Sequence, residues 1–233
     1  MNIKEKGTVV ESKELVKTYK QGAEIEVRAV RSLSLEVKRG EFTAIVGPSG
    51  SGKTTLLNLL GALDMPTSGK VFVDGFDITT MNRTERSALR RDKIGFVFQS
   101  YNLVPVLTAF ENAEVVLALQ GVDEEERRKT VMGLLKEVGL EGYEHRRPNQ
   151  LSGGQQQRVA IARAIAAQPS VILADEPTAN VDSETADLLL NIMEKMNSDH
   201  GATFIFSTHD PRVIKRAHRV ITLVDGKIES DRS

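Results

Sequence analysis

An α/β fold is what this 233-residue sequence predicts: a mixed, mostly parallel sheet with an N-terminal antiparallel β layer and an inserted helical subdomain. Three observations carry the prediction. Short β-branched runs alternate with helical patterns long enough to cross back over a parallel sheet. A glycine-rich turn lies between a buried-type strand and a helix. From about Gln99 to Gln150 the texture changes to helical periodicity with an exposed charged run, Asp123 to Lys129, which reads as an insertion.

The elements follow in order. Runs at Val9 to Leu15, Ile25 to Val30 and Leu33 to Val37, separated by Gln21-Gly22 and Arg39-Gly40, read as an antiparallel layer. Phe42 to Val46 is a short buried strand, followed by the glycine-rich turn and the helical pattern Leu56, Leu57, Leu59, Leu60, Leu63. Val71 to Val73 and Phe76 to Ile78 flank Asp74-Gly75, a favoured hairpin turn, and Ile94 to Phe98 is another buried strand. Strand-like runs return at Val171 to Ala174, Thr203 to Ser207 and Val220 to Val224. One continuous domain over 1–233 is expected: about 1–40 with 70–80 as the β layer, about 41–98 and 159–233 as the core, and about 99–158 as the helical subdomain.

Composition narrows the function classes. With 40% hydrophobic and 27% charged residues the chain is ordinarily globular. Lys plus Arg at 31 nearly cancels Asp plus Glu at 32, so no global positive field exists to hold nucleic acid, and none is expected as a partner. Zero cysteines exclude a disulfide framework and a thiolate metal site. The stretch Met1 to Glu14 has no apolar run behind its charges, so no secretion signal is expected there. The longest apolar stretch, Val159 to Ala174, is broken by Arg163, Gln168 and Pro169, so any membrane role must come through a partner.

Two motifs carry chemistry. Gly47-Pro48-Ser49-Gly50-Ser51-Gly52-Lys53-Thr54 satisfies G-x-x-x-x-G-K-S/T in the strand-to-helix setting that a P-loop requires. Its glycines let backbone N–H groups turn inward around phosphate oxygens, and the following helix N-terminus adds partial positive charge. Lys53 would reach the β- and γ-phosphates of a triphosphate tail, and the Thr54 hydroxyl would ligate Mg²⁺. Val171 to Ala174 then ends in Asp175-Glu176, two carboxylates at the sheet edge where open α/β sheets bind ligands. Asp175 is expected in the magnesium shell, and Glu176 is expected to take the proton of the attacking water or to orient it.

A third motif chooses among P-loop families. Leu151-Ser152-Gly153-Gly154-Gln155, followed by Gln156-Gln157-Arg158 and a helical pattern, resembles the signature sequence of the ABC ATPases. Ser152 and two glycines open a helix and offer a second set of N–H donors for a γ-phosphate. The resemblance spans Tyr19 to about Gly226 and implies a RecA-like P-loop core that hydrolyses ATP with Mg²⁺. It implies nucleotide contacts from Tyr19, from Gly47 through Thr55 and from Gln99 and His209 of one protomer. Ser152, Gly153, Gly154, Gln155 and Asp182 of a second protomer would complete the site in a head-to-tail homodimer. Lys53, Gln99, Glu176 and His209 are the implied catalytic set, and Thr54, Gln99 and Asp175 the implied metal set. Ala179 and Val181 depart mildly from the usual residues beside Asp182.

The run Tyr101, Leu103, Val104, Pro105, Val106, Leu107 and Phe110 is too apolar for an ordinary surface loop. There the resemblance places the docking of an integral membrane permease, with the chain peripheral on the cytoplasmic face. Gln99 to Thr108 and Glu176 to Asp182 look most like the lipoprotein-release and macrolide-efflux group. A regulatory cell-division type of subunit and a soluble, non-transport ABC ATPase stay open as alternatives.

Overall fold

The computed structural model describes residues 7–21 and 25–233. Gly22 of the predicted Gln21-Gly22 separator, and Met1 to Lys6 of the Met1 to Glu14 stretch read above, lie outside the described residues.

Two sheets organise the chain. The first has the order β2-β1-β4-β5, all antiparallel, from β1 (Thr8–Gln21), β2 (Ile25–Lys38), β4 (Ser68–Val73) and β5 (Phe76–Asp77). The second has the order β10-β9-β3-β8-β7-β6, from β3 (Phe42–Val46), β6 (Ile94–Val97), β7 (Val171–Asp175), β8 (Phe204–Ser207), β9 (Arg219–Val224) and β10 (Lys227–Arg232). Its strands are parallel except β10, which pairs antiparallel with β9. Three strands that run consecutively in space, β3, β8 and β7, thus deliver Val46, Ser207 and Asp175 to one edge.

Both faces of this second sheet are buried, as parallel strands require. Along β8, Phe204 and Phe206 enter the core beneath the helical lobe, while Ile205 enters the core beneath the β layer. β7 repeats the alternation with Ile172 and Ala174 on one side and Val171 and Leu173 on the other. Phe42 fills the first core between Phe206, at 4.6 Å, and Phe204, at 5.5 Å. Each such wholly buried side chain contributes about 1.5–3 kcal/mol relative to exposure.

Helices α1 (Lys53–Leu60), α2 (Arg83–Lys93), α3 (Ala109–Leu119), α4 (Glu124–Glu137), α5 (Gly153–Ala166), α6 (Ser183–His200) and α7 (Pro211–Arg216) complete the structure. The α1 pattern stops earlier than expected: Gly61 caps the helix, and Leu63 lies beyond it and exposed. Ile78 is buried but begins a 3-10 turn capped by Asp77 instead of extending β5. α5 runs unbroken past position 158, joining the helical lobe to the core in one rod. No helix among the described residues is long and apolar enough to cross a membrane.

Candidate functional site

The turn between β3 and α1 is shaped by close backbone approach. A Cβ on Gly47 would meet Leu223 O at 2.0 Å, and one on Gly52 would meet Ala29 O at 2.3 Å. Gly52 has φ 102°, which L side chains rarely adopt, and it supplies the N-cap of α1. Lys53 Nζ donates to Gly47 O at 2.8 Å and to Pro48 O at 3.0 Å, so the ammonium is folded over the loop it would share with phosphates. Ser51 stands apart from its neighbours. Its side chain is buried with an unpaired hydroxyl, and its backbone ties the loop to Gly226.

A cleft of about 900 Å³ opens over this turn. Gly47, Pro48, Ser49, Gly50, Gly52, Lys53, Thr54 and Thr55 form its floor, and Gln99, Glu176, Ser207 and His209 one wall. Val27, Arg28 and Ala29 of β2 form the other wall. Tyr19 stands at the lip: it pairs with Val27 across β1 and β2, is 38% exposed, and has the Thr55 hydroxyl beside its phenol. A second hollow of about 840 Å³ at the opposite end of the sheet, around Glu137, Met196 and His200, holds none of the predicted groups.

Behind the floor, Thr54 Oγ1 lies 3.4 Å from Asp175 Oδ1. A hydroxyl and a carboxylate oxygen side by side, with the Gln99 amide lining the same cleft, form a hard-oxygen donor set suited to Mg²⁺. The glycine cradle has the form a phosphate chain needs, since any Cβ at Gly47 or Gly52 would strike backbone.

The acid wall is built at the ends of β7 and β8. Glu176, at φ 45°, donates its N–H to Ser207 O at 2.8 Å. Its carboxylate accepts from Thr208 Oγ1 at 3.1 Å and from the His209 N–H at 3.4 Å, and Oε1 lies 2.7 Å from His209 Nδ1. The His209 side chain is otherwise 77% exposed, whereas Glu176 is 16% exposed. The resemblance put both groups in the implied catalytic set; the structure makes them direct partners, with Thr208 as a third member that strand-end reasoning did not single out. Asp210, next in sequence, caps α7, and the Arg212 guanidinium beside it holds its carboxyl down at about 2.

Ser152 to Gln155 do not line this cleft. They open α5 as a capping box: Ser152 Oγ accepts from Gln155 N at 3.2 Å, and Gln155 Oε1 accepts from Ser152 N at 2.8 Å. The box leaves the Gly153 and Gly154 N–H groups without an acceptor in their own helix. Asp182 caps α6, accepting from Thr185 N at 2.9 Å and Thr185 Oγ1 at 2.7 Å, bonds that lower its carboxyl pKa.

A knot that sequence reasoning missed joins these pieces. Tyr101 OH donates to Asn180 O at 3.1 Å, Asn180 Nδ2 donates to Gln99 O at 2.9 Å, and Arg163 of α5 donates to Asn102 O at 2.6 Å and Tyr101 O at 2.9 Å. Burial pushes the Arg163 guanidinium pKa down. The apolar run divides: Leu103 and Phe110 pack against the core, while Val104 and Val106 face outward, Val106 at 72%. Beside it a groove of about 320 Å³ lies between core and lobe, lined by Leu63, Phe96, Phe98, Asn102 and Val116.

The chain as a whole is similar to known proteins. The ABC transporter family model matches residues 30–179. The chain is 47% identical over 227 residues to an uncharacterized ABC transporter ATP-binding protein of Methanocaldococcus jannaschii, MJ0796, covering 96% of each. It is 44% identical over 226 residues to the lipoprotein-releasing system ATP-binding protein LolD 1 of Chlorobium chlorochromatii, covering 97% of this chain and 92% of the relative. It is 46% identical over 225 residues to the macrolide export ATP-binding/permease protein MacB of Syntrophobacter fumaroxidans, covering 96% of this chain and 31% of that longer protein. The dimeric structure of MJ0796 in a post-hydrolysis state bound to ADP and Pi superposes with a TM-score of 0.89 at 46% identity, covering 96% of this chain and 98% of the other. Likeness at this level over nearly the whole length, together with a matching family model, shows that the chain belongs to the ABC transporter family, as an ATP-binding subunit that hydrolyses ATP.

Proposed function

We propose that two copies of this chain close head-to-tail over two Mg-ATP molecules and drive an integral membrane permease of the export or lipoprotein-release type from its cytoplasmic face. One observation carries the dimer: the cleft that holds Lys53, Thr54, Gln99, Glu176 and His209 is not lined by Ser152 to Gln155 of the same chain. A phosphate site with donors on one side only needs a second surface. The free N–H groups of Gly153 and Gly154 are that surface, presented by another copy. The relative MJ0796 forms a dimer bound to ADP and Pi, which supports the same assembly here.

In this site the inward N–H groups of the loop and Lys53 hold the β- and γ-phosphates, and Tyr19 and Val27 flank the base. Thr54, Asp175 and Gln99 would hold Mg²⁺, which when bound draws off charge from the β- and γ-phosphate oxygens. Water attacks the γ-phosphorus, the bond to the β,γ-bridging oxygen breaks, and ADP leaves. Glu176 orients that water and accepts its proton. His209, held on Glu176 Oε1 by its Nδ1 and otherwise exposed, turns its ring toward the γ-phosphate. The exposed side chains of the apolar run, Val104 and Val106, and the groove between core and lobe that Asn102 lines receive the permease, and the Tyr101–Asn180–Gln99 knot carries movement between them.

Glu176→Gln keeps the side chain's shape and removes its charge and proton acceptance. We expect ATP affinity to be retained, turnover to fall at least about 100-fold, and ATP to accumulate a dimer on a sizing column. Undiminished turnover would remove Glu176 from its role. Because the chain has no cysteine, Ser49→Cys and Ser152→Cys together report the geometry: crosslinks bridging two molecules are expected, and crosslinks confined within single molecules would refute the dimer.

A further inference from the structure

Lys17, Tyr19 and Asp64 form a closed triangle at the lip of the nucleotide cleft. Lys17 and Tyr19 stand two apart on β1, and Asp64 lies just past the end of α1. The Lys17 ammonium donates to Asp64 Oδ1 at 2.8 Å and to Met65 O at 2.8 Å, and it lies 4.8 Å from the Tyr19 ring centroid. The Tyr19 hydroxyl donates to Asp64 Oδ2 at 2.8 Å. Asp64 Oδ1 also accepts from Met65 N at 2.7 Å, so both carboxylate oxygens are engaged. The Lys17 side chain is only 13% exposed, an unusual position for an ammonium, which is rarely buried unless paired.

We propose that Lys17 and Asp64 are positioning residues for the nucleotide base, fixing the Tyr19 ring with one face capped by the ammonium and the other left for the purine. The inference rests on the reading of Tyr19 as the residue that carries the base. An aromatic side chain at the exposed end of a two-stranded ribbon would otherwise turn about two torsions, and a base stacking on it would bear the cost of arresting them. Here the ring is held at its hydroxyl by Asp64 and across one face by Lys17, so that ordering is already done. A cation on one face also draws π density toward itself and leaves the far face better matched to an electron-rich purine. The ionisation states agree. Burial pushes the Asp64 carboxyl up, but hydrogen bonds from Lys17 and Tyr19 bring it below the usual range. Burial and the Asp64 hydrogen bond raise the Tyr19 phenol, which stays a donor.

The test compares a ligand with a base to one without. Affinities of Mg-ADP and of Mg-bound inorganic tripolyphosphate are measured by titration calorimetry on the full chain and on Lys17→Met, Asp64→Asn and Tyr19→Ala. Tyr19→Ala should weaken ADP at least about tenfold. Lys17→Met and Asp64→Asn should each weaken ADP about five-fold. All three should leave tripolyphosphate unmoved. If Tyr19→Ala weakens ADP while the other two do not, the brace is refuted and the stacking reading stands. If Tyr19→Ala leaves ADP binding intact, the stacking reading fails and the brace with it. Equal weakening of ADP and tripolyphosphate by Lys17→Met would show a general loss of structure and overturn the proposal. Lys17→Met decides the matter alone if Asp64→Asn does not fold. An absorbance titration of the phenols, assigned among the three tyrosines with Tyr19→Phe, should show the Tyr19 midpoint falling in Asp64→Asn; an unmoved midpoint would contradict the hydrogen bond.

Discussion

Gly154→Ala is expected to damage the fold from inside the chain, independently of any phosphate. A Cβ at Gly154 would lie 2.3 Å from Thr185 Cγ2, with Thr185 Oγ1 at 3.3 Å and Thr185 Cβ at 3.4 Å as the next neighbours. Thr185 cannot simply turn away, because its hydroxyl and its N–H are both committed to Asp182. Such overpacking costs about 1–3 kcal/mol, which for a chain of this size lowers Tm by roughly 2–12 °C. The offending atom is a single methyl, so Thr185→Ser removes it while keeping both bonds to Asp182. Thr185→Ser alone should cost at most about 1 kcal/mol, the loss of one methyl contact. In the double variant most of the Gly154→Ala penalty should vanish, giving a coupling of about 1–2 kcal/mol in a double-mutant cycle by urea unfolding. An identical Gly154→Ala penalty with and without the Thr185 methyl would refute the steric argument. ADP affinity should persist in all three variants, since Gly154 does not line the cleft of its own chain.

Lys53→Ala should abolish tight ATP binding by removing the one P-loop ammonium, and equal affinity by calorimetry would contradict its placement. Gly52→Ala should destabilise by about 3 kcal/mol or more, because a positive φ and a 2.3 Å approach to Ala29 O coincide; an unchanged urea midpoint would refute this. Asp210 has its carboxyl lowered to about 2 by Arg212, Thr178 and the α7 N-terminus. A lowered folded value means its stabilisation is fully present above about pH 4 and is lost as pH falls toward 2. Asp210→Asn should flatten that part of the stability–pH curve, and an identical acid limb in the variant would show that the carboxylate is not the source.

How much of this was legible in the sequence depended on whether the cause was local. The P-loop could be read because Gly47 and Gly52 are needed where they stand by backbone approach, and the strand and helix on either side are continuous apolar patterns. Helix α2 was missed although its start is written plainly: Asn82 accepts from Thr84 N and Glu85 N, and Glu85 closes the capping box. The helix body offers few apolar residues to read, since Ala88 and Leu89 are its only apolar side chains and only Leu89 is buried, so its period is carried by charged residues. Strand β10 is equally unmarked, being charged and exposed, and it exists through its ladder with β9 and the Arg219–Asp231 pair. The Glu176–Thr208–His209 cluster joins groups 32 and 33 residues apart, and Tyr101–Asn180 joins groups 79 apart. No window of sequence contains both ends of such bonds.

The signature glycines show why a motif can be read correctly and still be understood only in part. As sequence, Gly153-Gly154 reads as a source of N–H donors for a phosphate, and in that reading Ala would serve nearly as well, because the donors are backbone. In the structure each glycine also faces inward against a named neighbour: a Cβ on Gly153 would lie 2.7 Å from the Tyr101 hydroxyl, and one on Gly154 would strike Thr185. Tyr101 is bound to Asn180 and is clasped by Arg163 from the same helix, and Thr185 secures Asp182. The absence of two β-carbons therefore lets the start of α5 press at once on the loop after β6 and on the cap of α6. The start of α5 is in this way wedged against both segments, and the two glycines are required by that packing before any nucleotide is bound.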